Sequence, residues 1–263
     1  MEQVQDFLAE SDALAEAVSA LPDADWSTKT QFKGWTVNDV FVHLTFWNRA
    51  ADQSLFEPEA FNATLGMIMA EMGKGGLRPI ENRTIAERGP ALFQLWQDGY
   101  RDMARRWADV DPKTRRKWVG PEMSARSSIT ARQMETWAHG QEIFDLLGLE
   151  RAEADRVRNI VFLGVNTFGF AFKLNGLAVP EQVPRLVLTA PSGAVWNFGD
   201  GESPDLIEGS AVEFAQVQTQ TRNIKDTALK VSGPVAGKWM EIAQCFAGAP
   251  EPPPAPGTRF RAA

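Results

Sequence analysis

The sequence predicts an α+β protein of two parts: an antiparallel four-helix bundle over residues 1–150 and a small α+β domain over 151–250, with a disordered proline-rich tail at 251–263. Two observations predict it. Helical periodicity fills the first half in four long amphipathic segments, and four such helices bury their apolar faces most simply against one another. After Gly148 the pattern changes to shorter segments punctuated by proline and glycine, one of which alternates apolar and polar residues as a strand does. With 263 residues, 44% of them hydrophobic, the chain is long enough to build two cores.

The first helix spans about residues 2–20, an acidic amphipathic stretch. The second, "GWTVNDVFVHLTFWNRAADQSL", opens with Thr36 and Asp39 at the spacing of a capping box. Residues 52–82 include "GMIMAEMGKGGLRP", rich in glycine and methionine, which predicts a helix followed by a mobile excursion between bundle helices. "TIAERGPALFQLWQDGYRDMARRWADV" gives a third long helix with Pro90 near its start. The fourth runs over 128–147, with Ser127 and Ser128 as the expected N-cap and Gly148 as the stop. Beyond it, "RAEADRVRNIVFLGVNTFGFAFKLNGL" is still helical, and "PRLVLTAPSGAVWNFGD" predicts a β-hairpin turning at Pro191-Ser192-Gly193. A helix at about 210–222, a short strand in "TALKVSG" and a last helix in "PVAGKWMEIAQCFAG" complete the second domain.

Composition excludes several partners. The formal net charge is −7 and the isoelectric point about 5.0, and the basic stretches "RDMARRW" and "KTRRKW" are separated by acids, so no stripe for nucleic acid exists. No apolar run reaches the roughly 20 residues of a membrane span. A lone cysteine, Cys245, excludes an intramolecular disulfide and fits a reducing compartment, and the acidic N-terminus is unlike a signal peptide, so a cytoplasmic location is expected. The chain has no G-x-S-x-G elbow, and "GKGG" lacks the rest of a phosphate loop. Asp200 and Glu202 fit a turn better than an acid/base pair.

The fourth helix carries the chemistry. Ser128, Arg132, Glu135, His139 and Glu142 recur at steps of three and four and share one polar face, flanked by Ile129, Met134, Trp137, Ile143 and Phe144. Glu135 and His139 stand at the i,i+4 spacing that lets two side chains converge on one ion. The second of the chain's two histidines, His43, sits beside Val40 and Trp47 on the second helix, near its inward face. Two histidines and a carboxylate leave an open position on Zn²⁺, the pattern of a catalytic zinc site. The same residues also fit two satisfied core histidines with Glu135 paired to Arg132, and spacing alone does not separate these readings.

At these residues the chain resembles the DinB-like metal-binding superfamily, in the branch typified by mycothiol-dependent maleylpyruvate isomerase: "GWTVNDVFVHL" and "ETWAHGQEI" carry the likeness in the bundle. "LTAPSGAVWNFG", "IEGSAVEFAQVQTQTR" and "DTALKVSGPVAGKWMEIAQCFAG" resemble that branch's uncharacterised two-domain proteins, some labelled wyosine base formation proteins. The resemblance implies a divalent metal, zinc by preference, held by His43, Glu135 and His139, and a sterol-carrier-like second domain. It also implies an arginine from that domain, here Arg222 ending "QVQTQTR", in a shared cleft where it binds a substrate carboxylate. Arg132 then orients Glu135 or a second anion, and Ser124 and Arg126 in "GPEMSARSS" offer the helix N-terminus to a negative group of the cosubstrate. Glu142 stands where relatives commonly carry aspartate.

The activity this implies is zinc-dependent use of a low-molecular-weight thiol such as mycothiol, glutathione or bacillithiol, for isomerisation or S-transfer on a small carboxylated electrophile. Two alternatives stand beside it: a zinc hydrolase that ionises water instead, and a non-catalytic carrier of a small apolar ligand. Nothing in the sequence sets an oligomeric state.

Overall fold

The computed structural model describes residues 1–72 and 76–263, which form two compact units, Met1–Ile143 and Phe144–Ala263. The architecture is α+β, mostly helical, with a four-stranded sheet in the second unit.

In the first unit, α1 (Glu2–Val18) and α2 (Val37–Phe56) both pack against α5 (Gly89–Trp107). The entry to α2 is the expected capping box: the Thr36 hydroxyl accepts from the Asp39 amide at 3.1 Å, and the Asp39 carboxylate accepts from the Thr36 amide at 2.9 Å. Along α5, Leu92, Trp96, Tyr100, Met103 and Trp107 recur every three or four residues and are all buried, so one stripe supplies the helix's share of the core. Between α2 and α5 lie α3 (Pro58–Met72) and the short α4 (Arg78–Thr84), both against α2. The excursion expected after α3 falls largely on residues 73–75, outside the described residues.

A two-stranded antiparallel pair, β1 (Arg115–Arg116) and β2 (Met123–Ser124), leads straight into α6 (Ala125–Leu146). The helix therefore starts earlier than expected. Its cap is Ser124, whose hydroxyl accepts from the Ser127 amide at 3.1 Å, because strand pairing leaves Ser124 extended just ahead of the first helical residue. Ser127 and Ser128, expected as caps, lie inside the first turn.

The second unit opens with α7 (Arg158–Asn166) and α8 (Phe168–Leu174). Its sheet runs in the order β4-β3-β5-β6, with strands Arg185–Thr189 (β3), Val195–Phe198 (β4), Leu206–Ser210 (β5) and Lys230–Ser232 (β6). The predicted hairpin is β3–β4, with Leu188 opposite Trp196. β5, which the sequence did not announce, lies parallel to β3 and antiparallel to β6. Ser210 ends β5 and caps α9 (Ala211–Gln218), accepting from the amides of Val212 and Glu213. The final helix α10 (Pro234–Ile242) is capped from a distance: Asp205 Oδ1 accepts from the amides of Val235 and Ala236 at 2.8 and 2.9 Å. Gly233 lets this happen, since its φ is 93° and a Cβ there would stand 2.2 Å from that oxygen. Phe168, Phe214 and Trp239 meet edge to face and tie α8, α9 and α10 into one core.

Residues 251–263 contain no helix or strand, yet they are not free. Carbonyls of Glu251 and Pro254 accept from Gln220 and Asn223, the Gly257 amide donates to Asp226, and the Ala262 amide donates to the Asp145 carbonyl. The proline-rich composition that predicted disorder removes backbone donors, and side chains of the folded unit compensate by donating to the carbonyls that remain.

Candidate metal centre

Two helices bring the site together. α2 carries His43 and α6 carries Glu135 and His139, and the ligating atoms of all three lie within 4.8 Å of one another. The Nε2 atoms of His43 and His139 stand 3.3 and 3.4 Å from the same oxygen, Oε2 of Glu135. The three side chains are 15%, 11% and 19% exposed, so the cluster is sheltered but reachable.

Aromatic rings hold the imidazoles in place. Trp35, in the turn before α2, stacks flat on His139 with centroids 5.3 Å apart and 5° between planes, and also meets His43 at 5.3 Å. Phe32 closes on His139 edge-on at 5.1 Å.

The Nδ1 atom of His43 is 2.8 Å from Oε1 of Glu81, which also accepts from the Trp47 indole at 2.9 Å. Oε2 of Glu81 accepts from Arg78 at 2.9 Å, and Arg78 pairs in turn with Asp39 and packs over the Trp35 ring at 4.4 Å. A carboxylate behind a histidine fixes the ring so that its outer nitrogen faces the ligand position, the usual support of a metal-bound imidazole. Glu81 itself is 1% exposed.

Electrostatics agree with this geometry. Burial works against a charge on His43, but hydrogen bonds to Glu135 and Glu81 outweigh it and raise the pKa to about 9. Burial lowers that of His139, leaving a neutral ring ready to ligate. Burial also opposes charge on Glu135, yet His139, His43 and Arg132 hold its carboxyl well below the usual carboxylate range. The result is a half-buried anion faced by two imidazole nitrogens, a hard and borderline donor set suited to a divalent cation.

A family profile described as mycothiol maleylpyruvate isomerase N-terminal domain matches residues 7–144. The chain belongs to that family. Uncharacterised proteins from two strains of Mycobacterium tuberculosis are 35% identical over 248 residues, covering 94% of this chain and 96% of each relative. Two crystal structures of the mycothiol-dependent maleylpyruvate isomerase, one of a histidine-to-alanine mutant, share the fold with a TM-score of 0.53 at 16% identity, over 82% of this chain and 87% of theirs.

In this member of the mycothiol maleylpyruvate isomerase N-terminal domain family, the other expected site residues fall in different places. Arg132 lies one turn before Glu135, 5% exposed, with Nη2 3.9 Å from Oε1 of Glu135. Ser124 and Arg126 sit at the start of α6; Ser124 serves as the cap and Arg126 faces solvent. Helix rise alone puts them about 13–17 Å along the axis from Glu135. Arg222 is in the second unit, where its Nη1 and Nη2 donate to both oxygens of Asp145 at 2.7 Å. Glu142 is buried on the polar stripe of α6. The residue that sequence reasoning missed is Glu81. Its signal was weak: a glutamate three residues after Arg78, a spacing that usually means a surface ion pair. No helix among the described residues is long and apolar enough to cross a membrane.

Proposed function

We propose that the chain is a metal-dependent enzyme that uses a low-molecular-weight thiol to isomerise, or to add sulfur to, a small carboxylated electrophile. The observation that carries this reading is the convergence of two imidazole nitrogens on one Glu135 oxygen, with His43 braced from behind by Glu81. A divalent metal, zinc by preference, held by His43, Glu135 and His139 supplies the positive charge that ionises a thiol near neutral pH.

The chain's own residues do the rest. His43 keeps its outer nitrogen on the ligand position because Glu81 occupies the inner one. Trp35 and Phe32 wall the imidazoles and exclude water from that side. His139, His43 and Arg132 hold Glu135 as an anion against the cost of its burial, the charge state in which a carboxylate ligates.

The substrate class follows the relatives' chemistry. Maleylpyruvate is a cis-alkene with a carboxylate on one side and a ketone on the other, and thiolate addition to such an alkene forms a C–S bond while the π electrons move onto the conjugated ketone as an enolate. Rotation about the resulting single bond and expulsion of sulfur give the trans isomer and return the thiol, with no net oxidation. Stopping after the first step, with the proton lost by the thiol returned to the enolate carbon, gives an S-adduct. In this reading Arg222 braces Asp145 in the second unit, since both carboxylate oxygens are already taken by its guanidinium.

The test is a screen of cis-unsaturated acids against zinc-loaded protein with mycothiol, glutathione or no thiol, followed by chromatography. Turnover that needs both metal and thiol is expected. Turnover without any thiol would instead identify a hydrolase, and turnover unchanged after metal removal would contradict the proposal.

A further inference from the structure

We infer that Arg132 is the anchor for a substrate carboxylate, and that the site therefore takes short acids whose reacting carbon lies only a few bonds from that carboxylate; this rests on the metal-centre reading above.

A guanidinium carries five donors and keeps its charge in any protein environment. Burying one without partners is costly, so buried arginines normally meet a carboxylate at hydrogen-bond distance. Arginines of this chain that are only partly buried already do so: Arg222 meets Asp145 at 2.7 Å, Arg78 meets Glu81 at 2.9 Å and Arg106 meets Asp52 at 2.5 Å. Arg132 does not. It is 5% exposed, and its Nε and Nη1 have no hydrogen-bond partner among the described residues. Its contact with Glu135 is 3.9 Å, an ion pair beyond hydrogen-bonding distance, and the other Glu135 oxygen is the one that the two histidines face. Glu135 therefore compensates the charge of Arg132 in part and satisfies none of its donors.

What surrounds the guanidinium sets the shape of its missing partner. Trp118, from the connection between β1 and β2, places its ring 5.8 Å from the Arg132 guanidinium. The indole is held by flat stacking on Phe61 at 5.8 Å and by Trp47 at 5.8 Å. A planar anion lies naturally in the plane of a guanidinium and beside a flat ring, and two parallel N–H···O bonds are the strongest way to fill the fork. Carboxylate and phosphate can both fill the fork, but only the planar carboxylate also lies flat beside the Trp118 ring. Spacing then limits length. Arg132 and Glu135 are one helical turn apart, about 5–6 Å between their Cβ atoms, so a molecule gripped by Arg132 presents only its nearby carbons to the metal centre.

The experiment is calorimetric titration of maleate, and separately of inorganic phosphate and dimethyl maleate, into full-length zinc-loaded protein. Wild type, Arg132→Lys, Arg132→Gln and Arg222→Lys are compared, with the zinc content of each determined. Maleate is expected to bind wild type and Arg222→Lys alike, to weaken at least tenfold in Arg132→Lys, whose point charge cannot make the paired bonds, and to fail in Arg132→Gln. Dimethyl maleate and phosphate should bind at least tenfold more weakly than maleate. Equal maleate affinity in Arg132→Lys and wild type overturns the assignment, as does loss in Arg222→Lys alone, no maleate binding to wild type, or phosphate binding as tightly as maleate. Should Arg132→Gln not fold, Arg132→Lys decides by itself. The same titrations on zinc-free protein separate the two claims: an Arg132-dependent affinity that survives there upholds the anchor even if no metal is ever found.

Discussion

At the scale of single residues, the candidate metal centre depends on a side chain that is not itself one of the three candidate ligands. Glu81 holds Nδ1 of His43 at 2.8 Å, and its own oxygens are kept in place by Trp47 and Arg78. Replacing Glu81 by Gln keeps the shape and an acceptor for Trp47 but removes the charge that orients His43 and makes it a better ligand. Metal affinity, measured by competition with a chelator, should fall about 10–100-fold, and an unchanged affinity would show that Glu81 only fills space. The same pair sets a pH dependence. In the metal-free protein the His43 pKa stands near 9, above its ordinary 6.5, so its charged pairing with Glu135 and Glu81 stabilises the fold fully below pH 6.5 and is lost as pH rises through 9. Metal binding runs the other way, because the ion must displace that proton. Affinity should rise about tenfold per pH unit toward pH 9 and then level, and a flat profile from pH 6.5 to 8.5 would contradict this. His43, Glu135 and His139 were legible in the sequence because helical spacing and an inward face are local properties. Glu81 was not, since its link to His43 spans 38 residues and no local pattern marks it.

At the scale of elements, local signals held where the chain decides locally. Thr36 and Asp39 announced the start of α2, and Pro191-Ser192-Gly193 announced the β3–β4 turn. β5 was missed because "LIEGS" is short and ends in Glu, Gly and Ser; only pairing on both sides with β3 and β6 makes it a strand. The end of α9 was expected at residue 222 but comes at Gln218, where Gln220 adopts φ 57°. There the amides of Gln220 and Thr221 fold back onto the carbonyls of Val217 and Gln216, a Schellman closure that usually takes glycine. Left-handed backbone costs glutamine about 1–2 kcal/mol. Its side chain offsets that by donating to the carbonyls of Ala243 and Glu251 at 2.9 and 2.8 Å. Leaving a buried acceptor without its donor costs about 1–3 kcal/mol, so losing both donations exceeds the relief of strain. Gln220→Gly should therefore destabilise the protein by about 2 kcal/mol and lower its melting temperature by roughly 4–8 °C, whereas a higher melting temperature would mean that strain dominates.

At the scale of the whole molecule, the division of labour follows the two units. All three candidate ligands, their aromatic walls, Glu81 and Arg132 belong to Met1–Ile143, which coincides closely with the matched family profile at residues 7–144. The second unit, Phe144–Ala263, holds Arg222 with Asp145 and binds its own C-terminal segment through Gln220, Asn223 and Asp226. Composition predicted a tail without helix or strand, and the hydrogen bonds that link it to Gln220, Asn223 and Asp226 are long-range contacts that composition does not encode. The net charge of −7 gives the molecule as a whole no general attraction for anions, so the proposed anion recognition rests on an individual buried arginine, Arg132. Whether His43, Glu135 and His139 hold a metal is decided by elemental analysis after dialysis against a mild chelator. Wild type should retain a divalent metal at close to one ion per chain, and His43→Ala and His139→Ala, judged folded by circular dichroism, should lose it. Full retention of metal by both variants, or a wild type that binds none when zinc is supplied, would contradict the account.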